Sequence, residues 1–323
     1  MHMRLLASLA GALLSATAAL AQEYPTRPVT MVMPYAAGGP GDTITRILGQ
    51  SMSTILKQQV IVENRAGAGG TTGSASVAAA NPDGYTLLLI HIAHATNPAL
   101  YKSLKYNPET DFEPIGLVTE LPSAFVARKS IAANSFAEFI AHVKANRDKV
   151  NYSHAGVGSA AHLCGLMFSA AIDTKFTQIA YPGSGPAMND LMGGQVDFMC
   201  DQAVNVVSNV NAGTIKAFAV TGKEAAAALP GVPPADSAGL PGFDLKIWYG
   251  LFAPKGTPKP VQDKLVTALQ AALKDKFVIE RLGSLGAEVV SQERATPAAL
   301  KAHLASEIEK WGKVIRAGGV VQQ

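Results

Sequence analysis

The chain has 323 residues, of which 48% are hydrophobic and 16% are charged, and its formal net charge is +3. This length suffices for two domains, and the hydrophobic fraction excludes a disordered protein. The small net charge excludes a nucleic-acid-binding protein, because such proteins need a basic surface against the phosphates.

Residues 1–21 have the three parts of a secretory signal peptide. A short positive start at residues 1–4 precedes an apolar run at residues 5–20, and residues 19–21 form an A-x-A cleavage site. A membrane anchor is the alternative, but the many small residues in the run make a weak span. We therefore expect cleavage before Gln22 and export of the mature chain.

Short apolar strands alternate with helices in the first part of the mature chain. Strands are predicted at residues 29–33, 60–62 and 86–90. Helices are predicted from about residue 43 and at residues 75–80. This βαβαβ order predicts a parallel sheet with right-handed crossovers.

A second unit opens with predicted strands at residues 115–118 and 124–127 and continues the alternation. The tail of the chain has one strand and two helices, too few elements for a sheet of its own. We therefore predict two α/β lobes joined by two crossing strands. Domain 1 contains residues 22–123 and 243–323, and domain 2 contains residues 124–242. A ligand cleft with a closing hinge is expected between such lobes.

Three glycine-rich loops join predicted strands to predicted helices, at residues 35–42, 153–162 and 181–186. Glycine lets the backbone approach a ligand closely, and free N–H groups at a helix N-terminus favour an anion. Open α/β sheets bind ligands at the carboxyl ends of their strands, where these loops lie. The loops therefore predict a site for a carboxylate, although the first loop alone is equally consistent with a plain tight turn.

Two aspartates lie near these loops. Asp42 ends the first loop and is predicted to be the N-cap of the helix that follows. Asp201 ends a predicted strand. It is interpreted as a contact to the ligand or to bound water, or as a cap for the helix from about residue 203, and both roles can hold.

Two enzyme classes are weaker interpretations of the same loops. A dinucleotide-binding oxidoreductase is disfavoured because Ile44 stands where the G-x-G-x-x-G motif requires its last glycine. A secreted serine hydrolase that acts on small carboxylate esters is the main alternative. Its nucleophile would be Ser184 or Ser159, although Ser184 lacks the G-x-S-x-G context.

The cysteines and histidines give little support to catalysis or metal binding. The two cysteines, Cys164 and Cys200, are expected to form a disulfide in an oxidising compartment, with two buried free thiols as the alternative. A disulfide would exclude Cys164 as a nucleophile beside His162. His91 and His94 have no carboxylate or cysteine companion nearby, so a packing role is favoured over a metal site.

Several motifs resemble the Bug (TctC-like) family, the periplasmic solute-binding proteins of tripartite tricarboxylate transporters. Residues 34–42 are similar to the first ligand loop of the family. The other similar stretches are residues 62–70, 81–87, 97–101, 193–197 and 251–258. These motifs follow the family order over essentially the whole mature chain.

The resemblance implies a two-lobed type II periplasmic binding-protein fold, with a doubly wound mixed sheet in each lobe. It implies a small organic acid as ligand, often a di- or tricarboxylate, and a two-subunit inner-membrane permease as partner. It further implies a periplasmic monomer that uses no cofactor and catalyses no reaction.

The resemblance also assigns ligand-binding residues, because the family holds a carboxylate through main-chain amides and ordered waters. The matching positions are Ala37, Gly38, Gly39 and Gly41 in the first loop, Gly158, Ser159, Ala160 and His162 in the second, Gly183, Ser184 and Gly185 in the third, and Asp201. An amino-acid ligand is less favoured, since the only acidic residues in the cleft are Asp42 and Asp201. Tyr35, His91 and His94 suit a flat aromatic diacid, and members that bind terephthalate resemble this pattern.

Overall fold

The computed structural model describes residues 24–317 and residue 322, so the predicted signal peptide lies outside the described residues. The strands are β1 (Val29–Met33), β2 (Val60–Asn64), β3 (Thr86–His91), β4 (Phe112–Arg128), β5 (Asn151–His154), β6 (Thr177–Ala180), β7 (Phe198–Gln202), β8 (Ile215–Val220), β9 (Lys246–Pro254) and β10 (Glu288–Val289). The helices are α1 (Pro40–Leu56), α2 (Thr71–Ala78), α3 (Ala93–Leu100), α4 (Phe136–Ala145), α5 (Ala160–Ala171), α6 (Ser184–Met192), α7 (Ala203–Asn211), α8 (Ala235–Ala238), α9 (Lys259–Ala272), α10 (Lys276–Gly283) and α11 (Pro297–Ala317). A short 3₁₀ turn, Ala68–Gly70, precedes α2.

The strands form two mixed sheets that share β4. In the first sheet the order is β2-β1-β3-β9-β4, with β1 parallel to β2 and β3, and β9 antiparallel to β3 and β4. In the second sheet β5 is parallel to β6 and β7, while β4 is antiparallel to β7 and β8. The α/β architecture of the type II periplasmic binding proteins is thus confirmed.

The long strand β4 carries the chain from one sheet to the other. Its first part pairs with β9 as far as Pro122, and its second part pairs with β7 and β8 from Ser123 onward. The prediction of two separate strands, at residues 115–118 and 124–127, was therefore wrong. Pro122 lies where β4 exchanges its partners, and a missing N–H interrupts the hydrogen-bond ladder least at such a point.

Thr221 ties together the two passages between the sheets. Its N–H donates to the carbonyl of Ser123 (2.8 Å), and its hydroxyl accepts from the N–H of Ser123 (2.9 Å). The same hydroxyl donates to the carbonyl of Leu245 (2.6 Å), just before β9 begins. One buried side chain therefore joins the outgoing strand β4 to the returning strand β9.

The tail returns to the first sheet, as its small number of elements predicts. Strand β9 inserts between β3 and β4, and α11 packs against α3 and β4. The sequence analysis did not predict α3, which is short and contains Pro98. No helix in the described part of the chain is long and apolar enough to span a membrane.

Candidate functional site

The three glycine-rich loops meet at one narrow cavity between the two sheets. Each loop leads into a helix whose N-terminus faces the cavity: α1 after the first loop, α5 after the second and α6 after the third. The lining residues are Tyr35, Ala36, Gly39, Pro40, Gly41, Asp42, His91, Ala155, Ser159, Ala160, Ala161, Ser184, Gln202 and Tyr249. No lysine or arginine lines the cavity in the part of the chain that the structure describes.

The first loop turns into α1 earlier than predicted. The helix begins at Pro40, with Gly39 as its N-cap, because proline is well suited to the first helical turn. The prediction that Asp42 is the N-cap was therefore wrong. Asp42 lies in the first turn, where its carboxylate accepts from the Gly38 N–H (3.0 Å) and pairs with Arg46 (2.9 Å).

Oδ2 of Asp42 accepts hydrogen bonds from Gly38 and Arg46, whereas the buried Oδ1 has only its ion-pair contact to Arg46. Burial raises its pKa, but hydrogen bonds from Arg46 and from the Gly38 amide outweigh burial, and the pKa of Asp42 lies below its usual value. The Gly38 amide is engaged by Asp42 and does not line the cavity. The donors that this loop offers to a ligand are the first-turn amides, which have no partner within an α-helix.

Close packing explains one glycine of this loop. A Cβ atom on Gly41 would lie 2.1 Å from Sδ of Met33, in strand β1. A larger residue here would force the buried Met33 side chain to shift, so glycine favours this close approach of the helix to the end of the sheet. This approach brings the positive end of the α1 dipole to the cavity.

Serines provide the polar groups of the second and third loops. Ser159 is the N-cap of α5, and its hydroxyl accepts from the N–H of His162 (3.1 Å). Ser184 opens α6, and its hydroxyl donates to the buried carboxylate of Asp201 (2.9 Å). Burial raises the pKa of Asp201 to about 6, although hydrogen bonds from Asn205 and Ser184 oppose the shift.

Some residues assigned by the resemblance lie beside the cavity and do not line it: Ala37, Gly38, Gly158, His162, Gly183, Gly185 and Asp201. Gly183 and Gly185 pack closely against the first loop, at Ala36 and Ala37 respectively. The ring of His162 accepts from the Gly158 N–H (3.3 Å) and so positions the second loop. His94 is fully buried behind the site, among aromatic rings.

The sequence analysis missed two polar residues of the cavity, Gln202 and Tyr249. The Tyr249 hydroxyl donates to the side-chain oxygen of Gln202 (2.8 Å), and both residues are buried. Gln202 follows Asp201 at the carboxyl end of β7. Its position there could have identified it from the sequence as a candidate cavity residue. Tyr249 lies within β9, which returns from a distant part of the chain and carries no local signal.

Backbone and side-chain contacts hold the two sides of the cavity together. The Ala36 N–H donates to the carbonyl of Pro182 (3.2 Å), which joins the first and third loops. The Tyr101 hydroxyl donates to the carbonyl of Val157 (2.7 Å) in the second loop. The cavity is thus in a closed arrangement.

The enzymatic interpretations find no support in this geometry. Within the described residues, no histidine ring hydrogen-bonds to Ser159 or Ser184, and no group of three or more metal-ligating side chains occurs. Cys164 and Cys200 are joined by a disulfide, with their Cα atoms 6.1 Å apart. This bond occupies the thiol that was considered beside His162.

Two α/β sheets with a cavity between them, faced by three helix N-termini, have the architecture of a periplasmic solute-binding protein. The family model of the tripartite tricarboxylate transporter family receptor matches residues 44–320. The chain belongs to this family, the TctC or Bug family of periplasmic binding proteins.

Individual relatives agree with this assignment. A UPF0065 protein encoded in the TAR-I ttuE-ttuC' intergenic region of Agrobacterium vitis is 48% identical over 320 residues, 99% of this chain and 92% of that protein. The solved structure of the periplasmic binding protein BugD is 47% identical, with a TM-score of 0.91, over 93% of this chain and all of that one (100%). MatC (Rpa3494) from Rhodopseudomonas palustris, solved with bound malate, is 41% identical, with a TM-score of 0.87, over 90% of this chain and 100% of that one.

Buried neutral histidines should make the protein sensitive to acid. Burial lowers the pKa of His91, His94 and His162 to about 3 and that of His154 to about 4. The unfolded chain binds these protons near pH 6.5, so the free energy of unfolding falls as the pH drops below that value. Protonation of Asp201 below about pH 6 raises the free energy of unfolding, because its pKa is raised in the folded state. The effect of this one group is smaller than that of the four histidines. We expect the melting temperature to fall between pH 7 and pH 5.

His94→Phe should weaken this dependence. The His94 ring packs against Tyr106, Phe112 and Phe252, at centroid distances of 5.7, 4.9 and 4.7 Å, so a phenyl ring suits the site. Removing one such histidine should reduce the slope of the free energy of unfolding against pH by up to about 1.4 kcal/mol per pH unit below pH 6.5. Denaturant unfolding at pH 5 and pH 7 measures this free energy for the wild type and for His94→Phe. The same change with pH in both proteins would contradict the role of His94.

Gly39→Val should weaken ligand binding and leave the fold intact. A Cβ on Gly39 would lie 3.5 Å from the amide nitrogen of Gly185 and 3.6 Å from atoms of Ser184, so the further methyls of valine would press on the third loop. We expect at least about tenfold weaker binding by calorimetry, equivalent to about 1.4 kcal/mol. Gly283→Val is the control, because Gly283 lies at a helix end outside the cavity lining, has no positive φ, and a Cβ there meets nothing within 4 Å. Unchanged affinity in Gly39→Val would remove this loop from the site.

Proposed function

We propose that this protein captures a small dicarboxylate in the periplasm and delivers it to a two-subunit permease of the tripartite tricarboxylate type. The observation behind the proposal is the convergence of three helix N-termini on one cavity, whose lining among the described residues includes no lysine or arginine. Main-chain amides hold an anion without a paired cation, and each hydrogen bond to a charged group contributes roughly 1.5–3 kcal/mol. About four such bonds support micromolar affinity after the costs of ordering.

The proposed contacts to the carboxylates are amides of the first turns of α1 and α5, together with the hydroxyl of Ser159. Gly41 in α1, and Ala160 and Ala161 in α5, line the cavity. Gln202 adds a side-chain amide on the opposite wall. The residues beside the cavity, such as Gly158 and His162, position the loops and make no direct contact in this proposal.

An aliphatic ligand is favoured over terephthalate. Tyr35 and His91 stack on each other, with ring centroids 4.8 Å apart and an interplanar angle of 29°. His91 also makes an edge-to-face contact with Tyr249, at a centroid distance of 5.5 Å. Stacking of a flat aromatic diacid needs a free ring face, and the contact between Tyr35 and His91 already uses one face of each ring. The malate in the MatC structure, a four-carbon dicarboxylate, is consistent with the aliphatic ligand.

We also propose that ligand binding closes two domains with the predicted boundaries, residues 22–123 with 243–323 and residues 124–242. The passages between the sheets at Ser123 and Leu245, tied by Thr221, support this division and a hinge there. Removal of residues 1–21 during export, and a monomeric mature protein, belong to the same proposal. Mass spectrometry of the secreted chain tests both.

A binding screen tests the function. The mature protein is exposed to mono-, di- and tricarboxylates that include succinate, malate and terephthalate. A dicarboxylate at 100 times its Kd should stabilise the protein by about 2.7 kcal/mol and raise the melting temperature. The compound should be recovered unchanged. Hydrolysis of an ester panel, or no shift with any acid, would contradict the proposal.

A further inference from the structure

The hydrogen-bond direction of one cavity group is decided by residues behind it. Asp201 is 1% exposed, and both of its carboxylate oxygens accept hydrogen bonds. Oδ1 accepts from the hydroxyl of Ser184 (2.9 Å), and Oδ2 accepts from the side-chain amide of Asn205. An ionised carboxylate cannot donate, so the single hydroxyl proton of Ser184 is committed to Asp201.

Ser184 is one of the residues that line the cavity. A serine hydroxyl has one proton and two lone pairs. Because its proton points to Asp201, Ser184 can offer only lone pairs to a ligand. A carboxylate oxygen, which also has only lone pairs to offer, is repelled there.

Several other polar groups of the cavity are donors. The side-chain oxygen of Gln202 is used by Tyr249, which leaves the Gln202 NH₂ group as a donor. The Ser159 oxygen receives the His162 N–H, and its own proton remains free to donate. The amides at the start of α1 and α5 are donors as well. Ser184 is thus an acceptor beside these donors, as are the hydroxyls of Tyr35 and Tyr249, whose protons go to Gly69 and Gln202.

We propose that Ser184, oriented by Asp201, is a specificity-determining residue that accepts a hydrogen bond from a donor group on the carbon chain of the ligand. The favoured ligand class is then a dicarboxylate with a hydroxyl or ammonium substituent, in preference to an unsubstituted or 2-oxo dicarboxylate. This inference rests on the proposed dicarboxylate-binding function. Asp201 touches no ligand in it and acts as a positioning residue.

Calorimetry with matched ligands tests the inference. Malate and succinate differ by one hydroxyl, oxaloacetate offers an acceptor in its place, and aspartate offers an ammonium group. The wild-type protein should bind malate or aspartate at least about tenfold more tightly than succinate, and oxaloacetate no better than succinate. Comparison of malate with aspartate identifies which donor the site prefers.

Variants separate this role from a structural one. Ser184→Ala should bring the preferred ligand to within about twofold of succinate when both are measured on the same variant. Ser184→Thr keeps the hydroxyl and should retain the preference. Ser159→Ala, the matched control on α5, should weaken malate and succinate alike. Asp201→Asn can donate to Ser184 and free its proton, so it should shift the preference toward oxaloacetate.

The outcomes distinguish this inference from the function on which it rests. Equal binding of substituted and unsubstituted dicarboxylates by the wild type, or an undiminished preference in Ser184→Ala, would overturn the role of Ser184 and leave carboxylate binding intact. Failure of the wild type to bind any acid of the panel would overturn the proposed function, and the role of Ser184 with it.

Discussion

Gly69→Ala should abolish tight ligand binding and leave the unliganded protein folded. A Cβ on Gly69 would lie 1.6 Å from the carbonyl oxygen of Val157 and 2.8 Å from the Tyr101 hydroxyl. Val157 belongs to the second loop, on the other side of the cavity, and its backbone cannot yield as a flexible side chain would. The added methyl group should therefore hold the two sides apart.

The expected loss follows from the population of the closed state. A ligand that needs closure binds in proportion to the fraction of protein able to close, so the apparent Kd should rise by at least roughly a hundredfold. Titration calorimetry measures the affinity. Small-angle scattering should find the same radius of gyration with and without malate, whereas the wild type should contract.

A second glycine provides the matched control. Gly69 and Gly194 both have positive φ values, +60° and +75°, but a Cβ on Gly194 meets nothing within 4 Å. Alanine should cost each site about 1 kcal/mol of backbone strain. Gly194→Ala should therefore lose a similar amount of stability and keep its affinity. Normal binding and contraction in Gly69→Ala would disprove the steric block.

Replacing both cysteines should destabilise the protein strongly and affect binding little. The disulfide joins Cys164 in α5 to Cys200 in β7, both fully buried, across a sequence separation of 36 residues. In the chain-entropy model, a loop of this length is worth roughly 4 kcal/mol. At about 2–4 °C per kcal/mol for a chain of this size class, the melting temperature should fall by roughly 8–15 °C.

The Cys164→Ala, Cys200→Ala double variant tests this expectation, with the reduced wild-type protein as its control. Neither sulfur lines the cavity, so calorimetry should find the affinity for malate within about threefold of the wild type, under 1 kcal/mol. Thiol titration of the unfolded, unreduced wild type should find no free thiol. Two free thiols, or equal melting temperatures for the variant and the wild type, would refute the bond or its contribution.

The sequence determined the order of most strands and helices and the position of the loops between them. Alternating apolar strands and helices predicted two α/β lobes, because the hydrophobic period along the chain distinguishes the two kinds of element. Glycines between strand and helix marked the three loops, since only a backbone without Cβ atoms can make so close an approach. At the start of α4 the Ser135 hydroxyl accepts from the Glu138 N–H (3.2 Å), the contact favoured by a serine followed three residues later by a glutamate.

Tertiary structure decided where some elements begin and end and which partners their residues have. Proline at position 40 starts α1 earlier than the hydrophobic pattern suggests, which changes Asp42 from a cap into a partner of Gly38 and Arg46. Continuity of β4 through Pro122 depends on partners from β9, β7 and β8 that lie far away in sequence. Local periodicity contains no information about such partners.

The polarity of the site was decided in the same way. A serine at the start of a helix is ambiguous, because its hydroxyl can donate or accept. Only the packing of β7 against α6 brings Asp201 within 2.9 Å of Ser184 and commits that proton. Tyr249 reaches the cavity only because β9 returns between β3 and β4. The sequence therefore predicted an anion site formed by amides, and the tertiary structure decided which groups face the cavity and with which polarity, because hydrogen-bond direction depends on neighbours in space.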